Sequence, residues 1–184
     1  IGLMRSYTLK EEFTYAKPYA EKILLDEQAL DYVKIESHYA IAKAYMLVND
    51  YDNAKPHFVI VTNGSNGSIG AEAQFNIALI YHLQENYTQS EIEVRNLMKN
   101  NAGYDYWVAK ALILQAKNSM GIEDYVQAEY TLNSVLNGYT ITDDGIIDEA
   151  NEVMQVLLGL KNKEKDLEED SDNTIEINEG GNND

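Results

Sequence analysis

The chain has 184 residues, a formal charge of -17, 45% hydrophobic residues and no cysteine. Disulfide staples and thiolate chemistry are therefore excluded, although a chain without thiols suits either redox compartment. The acidic balance argues against phosphate-backbone binding, which needs clustered Lys and Arg, and equally against docking on anionic lipid. No apolar run approaches the length that spans a bilayer.

Only two prolines occur, Pro18 and Pro56, and no long alternating β-branched run appears. Helix formers dominate, which predicts an all-α protein. Before any local motif, a recurring phrase sets the frame. Glu12-Phe13-Thr14-Tyr15-Ala16 returns as Asp50-Tyr51-Asp52-Asn53-Ala54, Asn86-Tyr87-Thr88-Gln89-Ser90 and Asp124-Tyr125-Val126-Gln127-Ala128. The aromatics Phe13, Tyr51, Tyr87 and Tyr125 are 38, 36 and 38 residues apart, the mark of a repeat array.

The first unit, 1–27, is partial. The chain opens at Ile1 without an initiating methionine, about ten residues into the unit when the later spacing is projected backwards. The reading predicts a piece of a longer array, so the absence of a leader carries no information about location. Pro18 and Pro56 occupy equivalent places and predict a late helix start or a small kink.

The second unit, 28–66, shows the grammar. A helix is predicted from about Tyr32 to Val48, with Ile41, Ala42, Tyr45 and Val48 on one stripe. Asp50 caps the next helix, which buries Tyr51, Ala54, Phe58 and Val61 and runs to about Val61. Residues 62–68 read as turn chemistry. The third unit, 67–103, repeats the pattern with Ile77, Ala78 and Tyr81, then Tyr87, Ser90, Val94 and Leu97. The fourth, 104–140, does so with Leu112, Ala116 and Ser119, then Tyr125, Ala128, Leu132 and Val135. Ala42, Ala78 and Ala116 each stand 12 residues before Ala54, Ser90 and Ala128. Small residues at both places let paired helices approach within the usual axis spacing of about 8–10 Å.

After Tyr139 the pattern changes. Thr142-Asp143-Asp144-Gly145 reads as a helix start, and Ile146, Ile147, Ala150, Val153, Met154, Leu157 and Leu158 form an apolar stripe. Residues 143–161 are expected to form a closing helix, which repeat stacks need because a terminal unit would otherwise expose its stacking face. Residues 162–184 are expected to be a disordered acidic tail; 164–184 alone hold nine acids against Lys165. Such a tail solubilises, or folds back on a basic groove.

The triplets Ala42/Tyr51/Ala54, Ala78/Tyr87/Ser90 and Ala116/Tyr125/Ala128 resemble the small–aromatic–small signature of tetratricopeptide repeat (TPR) proteins. The match covers about residues 1–140. It departs in its longer steps, against about 34 residues in the family, and in the missing terminal proline. The resemblance implies an α-solenoid of antiparallel helix pairs, a TPR superhelix, over residues 1–161. The Asn-, Ile- and Tyr-rich wording and the phrase Tyr106-Trp107-Val108-Ala109-Lys110-Ala111 resemble the C-terminal ends of long bacterial envelope TPR proteins, which implies an envelope or periplasmic location, with the cytoplasm as the alternative.

Catalytic chemistry finds little footing. His38, His57 and His82 share no i, i+4 spacing, and no cysteine completes a zinc set. Asp50-Tyr51-Asp52-Asn53 begins like a calcium loop but lacks its glycine and closing glutamate. Gly64, Gly67 and Gly70 follow no strand and fit neither phosphate-binding order. No catalytic residue, metal or cofactor is expected. Trp107, beside Tyr104 and Tyr106, reads as core filling rather than a binding hot spot.

The expected site is a surface. In TPR arrays the first helices line a concave groove for an extended or helical peptide. The resemblance places Tyr39, Lys43 and Met46, then Phe75, Asn76, Leu79 and His82, then Lys110, Ile113 and Lys117 on that side. Three lysines in a protein of charge -17 point to an acidic ligand or a free carboxylate. Asn76 and Lys110 match two places of the family's carboxylate clamp; Tyr39, Lys43 and Leu114 do not match the rest. The expected function is a non-enzymatic protein–protein interaction scaffold. The alternatives are structural stacking or self-association through the open N-terminal face, and an adaptor or chaperone role in envelope assembly.

Overall fold

A computed structural model describes residues 1–179, with side chains through residue 165; residues 180–184 lie outside it. The described chain is all-helical: α1 (Gly2–Leu9), α2 (Phe13–Leu24), α3 (Asp31–Leu47), α4 (Tyr51–Gly64), α5 (Ser68–Leu83), α6 (Tyr87–Asn100), α7 (Asp105–Gly121), α8 (Tyr125–Gly138) and α9 (Ile146–Glu179). Each helix packs against the next. The odd-numbered helices α5, α7 and α9 also touch in succession, as do α1 and α3, while the even-numbered helices make no comparable contact with one another. Backbone contacts beyond the immediate neighbour therefore run between odd-numbered helices.

The recurring phrase marks the same turn four times. The odd helix ends at a residue in the left-handed region: Glu11 (φ 57°), Asn49 (57°), Glu85 (57°) and Glu123 (61°). The next residue sends its amide back to the last turn: Glu12 to Tyr7 (2.9 Å), Asp50 to Tyr45 (3.0 Å), Asn86 to Tyr81 (2.9 Å) and Asp124 to Ser119 (2.9 Å). The amides of Glu11, Asn49, Glu85 and Glu123 reach Thr8, Met46, His82 and Met120. This double closure is the Schellman arrangement. Asp50, Asn86 and Asp124 then cap the even helix by accepting from the amides of Asn53, Gln89 and Gln127.

Glycine is the usual occupant of the left-handed position, because a Cβ there costs about 1–2 kcal/mol. Glu85 is exposed and carries that penalty. Glu85→Gly is expected to raise stability by about 0.5–1 kcal/mol, the greater freedom of unfolded glycine offsetting part of the gain. Asn49→Gly is expected to change little, since Asn tolerates this conformation. Urea unfolding of the two variants checks both; a destabilised Glu85→Gly would contradict the strain.

The six small positions Ala42, Ala54, Ala78, Ser90, Ala116 and Ala128 are all fully buried. Ser90 also donates its hydroxyl to the Ala78 carbonyl at 2.9 Å, bonding α6 to α5 where the other pairs have only alanine. The core falls into four blocks, each at a junction of successive helices. Met4, Ala16, Ala20, Ala40 and Ile41 join α1 to α3. Phe13, Tyr39, Phe58, Val61, Ile77 and Ile80 join α2 to α5. Phe75, Val94, Leu97, Ala111 and Leu114 join α5 to α7. Ile113, Leu132, Val135, Ile146, Val153 and Leu157 join α7 to α9.

Some local expectations change. Both prolines lie inside helices that start on time, at Phe13 and Tyr51, so no late start occurs. Helix α4 runs one turn further than expected, to Gly64, and the turn shrinks to residues 65–67. Gly70 falls inside α5, where a Cβ would meet the Ser65 carbonyl oxygen at 1.9 Å; close backbone approach explains that glycine. The closing helix begins at Ile146, whose amide bonds Asp144 Oδ1 at 3.2 Å. It does not stop near residue 161 but continues to Glu179, through most of the segment expected to be a disordered tail. Glu, Lys and Leu at 163–169 are good helix formers and favour the first part of this continuation. Lys161 ties α9 to Glu129 of α8 at 2.5 Å. No described helix is long and apolar enough to cross a membrane.

Candidate functional site

The face built by the odd helices carries the residues singled out from the sequence, and most of them bond to the protein itself. Tyr39 donates to Glu72 Oε1 at 2.8 Å, and Lys43 reaches the same oxygen at 2.8 Å. Asn76, almost fully buried, donates to the Glu72 backbone carbonyl. Burial and the neighbouring Glu72 charge both push the Tyr39 hydroxyl well above the usual tyrosine range. Lys110 and Lys117 converge on Glu149, at 2.5 and 2.9 Å. Burial alone would raise the Glu149 carboxyl, but the hydrogen bonds from Lys110 and Lys117 outweigh it and hold it below the usual value.

These contacts form a repeating rung. A cation on one odd helix meets a carboxylate early in the next: Arg5–Glu36 (α1 to α3), Lys43–Glu72 (α3 to α5) and Lys117–Glu149 (α7 to α9). At the fourth equivalent place, α5 to α7, Leu79 stands for the cation and Lys110 for the carboxylate. Leu79 packs on the Phe75–Leu114 block, and Lys110 joins the next rung at Glu149.

The remaining candidates also contact the protein itself. Ile113 has no exposed surface and belongs to the α7–α9 core, and Phe75 packs on Trp107 with ring centroids 5.6 Å apart. Met46 is half-buried against the α2–α5 core. Trp107 is itself partly buried and donates to Ser68 Oγ at 3.3 Å, in keeping with core filling. His82 Nδ1 lies 2.7 Å from Asn118 Oδ1; Asn118 donates to Ser90, which donates to the Ala78 carbonyl. This relay satisfies a buried asparagine across α5, α6 and α7.

One open cavity lies on the same face. Met4, Arg5, Thr8, Leu9, Glu36, Tyr39 and Ile69 enclose about 270 Å3 between α1, α3 and α5. Its lining is mainly apolar, with the Arg5–Glu36 pair and the Tyr39 ring among its polar groups. Leu9 stands 86% exposed, and the Thr8 hydroxyl oxygen is buried without a hydrogen-bond partner. Of its residues only Tyr39 was singled out from the sequence. Aligning the units would have revealed Arg5 and Glu36, since Arg5 is equivalent to Lys43 and Lys117, and Glu36 to Glu72.

Two histidines read as unconnected from sequence meet directly. His38 Nδ1 of α3 lies 2.7 Å from His57 Nδ1 of α4. Among the described residues, no group of three or more His, Cys, Asp or Glu is placed to hold a metal ion. Comparison with protein families, curated proteins and solved structures finds no match to this chain.

Proposed function

We propose that the chain is a TPR-type α-solenoid whose odd-helix face binds a peptide or partner helix, without catalysis. The four equivalent turns, the six buried small positions and the contacts between odd-numbered helices support the repeat reading. The cavity between α1, α3 and α5 is the observation that carries the binding function: it is open, mainly apolar and about 270 Å3 in volume, near the lower end of the usual range for binding pockets. Its chemistry favours an apolar anchor over a free carboxylate, because Lys43, Lys110 and Lys117 already spend their charge on Glu72 and Glu149.

A displayed library of random peptides, panned against the intact chain, tests this. Enriched sequences are expected to share a large apolar residue and to lose at least about tenfold in affinity on Leu9→Asp, the order expected when a desolvated anchor is disrupted. No enrichment, or equal binding to the variant, would sink the reading. Self-association is the second reading, favoured by the exposed Ile1 at the N-cap of α1, Leu3 on α1, and Tyr15 and Tyr19 on α2. Sedimentation across concentrations separates the two: a concentration-dependent mass supports pairing through this end.

A further inference from the structure

The His38–His57 contact occupies a position with counterparts in the two helix pairs that follow. Its counterpart in the next pair is Gln74–Glu93, bonded at 2.8 Å, and in the last pair Leu112–Thr131. Only in the α3–α4 pair do both partners titrate near neutral pH.

We propose that the His38–His57 pair is an acid-sensitive latch between α3 and α4. Its geometry admits one Nδ1–H between the two rings. An imidazole donates to the other, or an imidazolium donates to an imidazole. Two imidazolium rings cannot keep the bond, because both Nδ1 atoms then carry protons and the like charges face each other. The surroundings do not rescue the doubly charged pair. Both rings are partly buried, with centroids 5.0 Å apart, and His57 stacks on Tyr45 at 6.0 Å. From α2, Lys17 adds positive charge beside His57 while Glu21 supplies one compensating carboxylate, 3.5 Å from Lys17 itself. Lys17 also sits 4.1 Å from the Tyr45 ring centre, so α2, α3 and α4 meet around the pair.

Burial lowers both histidines from their ordinary value, and the mutual charge lowers His38 further. The unfolded chain therefore binds more protons than the folded one below the ordinary histidine value. Stability from the latch is full above about pH 6.5 and falls as the pH drops through that value. The α3–α4 interface should loosen first, because it alone holds the two rings together.

Hydrogen exchange on the full chain at pH 7.5, 6.5 and 5.5, corrected for intrinsic rates, tests the latch. Amides of α4 are expected to exchange several-fold faster at pH 5.5 than at pH 7.5, relative to those of α8. In His57→Asn, whose amide stands where Nδ1 was and does not titrate, this pH dependence should shrink to the part that burial of His38 alone leaves. Equal acceleration in α4 and α8, or an unchanged profile in the variant, would overturn the proposal. If the variant does not fold, imidazole titration of the wild-type chain by NMR decides: midpoints below the ordinary value support the latch, and two ordinary midpoints overturn it.

Discussion

Phe58→Ala is expected to lower the unfolding free energy by about 3–5 kcal/mol, the range for truncating a buried aromatic. Phe58 has no exposed surface and sits among Phe13, Tyr39, Ala42, Val61, Ile77 and Ile80, which come from α2, α3, α4 and α5. Its removal leaves a cavity shared by three successive helix pairs. Around it the fully buried Ala42 and Ala54 are too small to reach into the void. Against a total stability of about 5–15 kcal/mol this is a large fraction. In a chain whose blocks contact only their neighbours, the loss should also be local. The first two helix pairs are expected to melt ahead of α7–α9. Trp107, the only tryptophan, reports on the α5–α7 junction, so its fluorescence should unfold later than the far-ultraviolet helix signal. Val126→Ala on α8, at a position 78% exposed, should stay within about 0.5 kcal/mol of wild type. A Phe58→Ala loss below about 1 kcal/mol, outside the range for buried aromatics, would mean that this block does not bear the packing described.

The repeat and its small positions were legible in the sequence because they depend on local chemistry repeated at a fixed step. Ala42, Ala78 and Ala116 announce close packing wherever they recur. Asp50 announces a cap through its side-chain oxygen, and Asn86 and Asp124 repeat it in the structure. The left-handed turns were hidden, because Glu11, Glu85 and Glu123 replace the glycine that usually signals them. The site was harder to read. Whether a lysine faces solvent or a carboxylate depends on a partner 29 residues away for Lys43 and 32 for Lys117, and single-helix patterning cannot see it. The same blindness separated His38 from His57, which share no helix and meet only when α3 folds against α4. Ile113 shows the opposite error. Its helix position looked outward, but α9 packs over α7 and buries it.

Glu149→Gln is expected to cost about 1–2 kcal/mol, the range for charge-assisted hydrogen bonds reduced for partial exposure. Glu149 is the single carboxylate that receives both Lys110 and Lys117 from α7, and its side chain is 26% exposed. Glutamine keeps the volume and one acceptor oxygen but leaves two ammonium groups facing each other without a counter-charge. The linkage gives a second signature. Because the folded carboxyl is held below its ordinary value, its contribution is full above that value and fades as the pH falls through the folded one. Wild type should therefore lose stability in mild acid more steeply than Glu149→Gln, and the two curves should converge at low pH. Parallel curves would show that the lysines do not hold this carboxylate. The variant also bears on ligand chemistry. If the lysines are occupied in the native protein, a glutamate-rich peptide should bind Glu149→Gln in a salt-sensitive way and leave wild type unbound. Equal binding to both would return Lys110 and Lys117 to the role of an open acidic-peptide site.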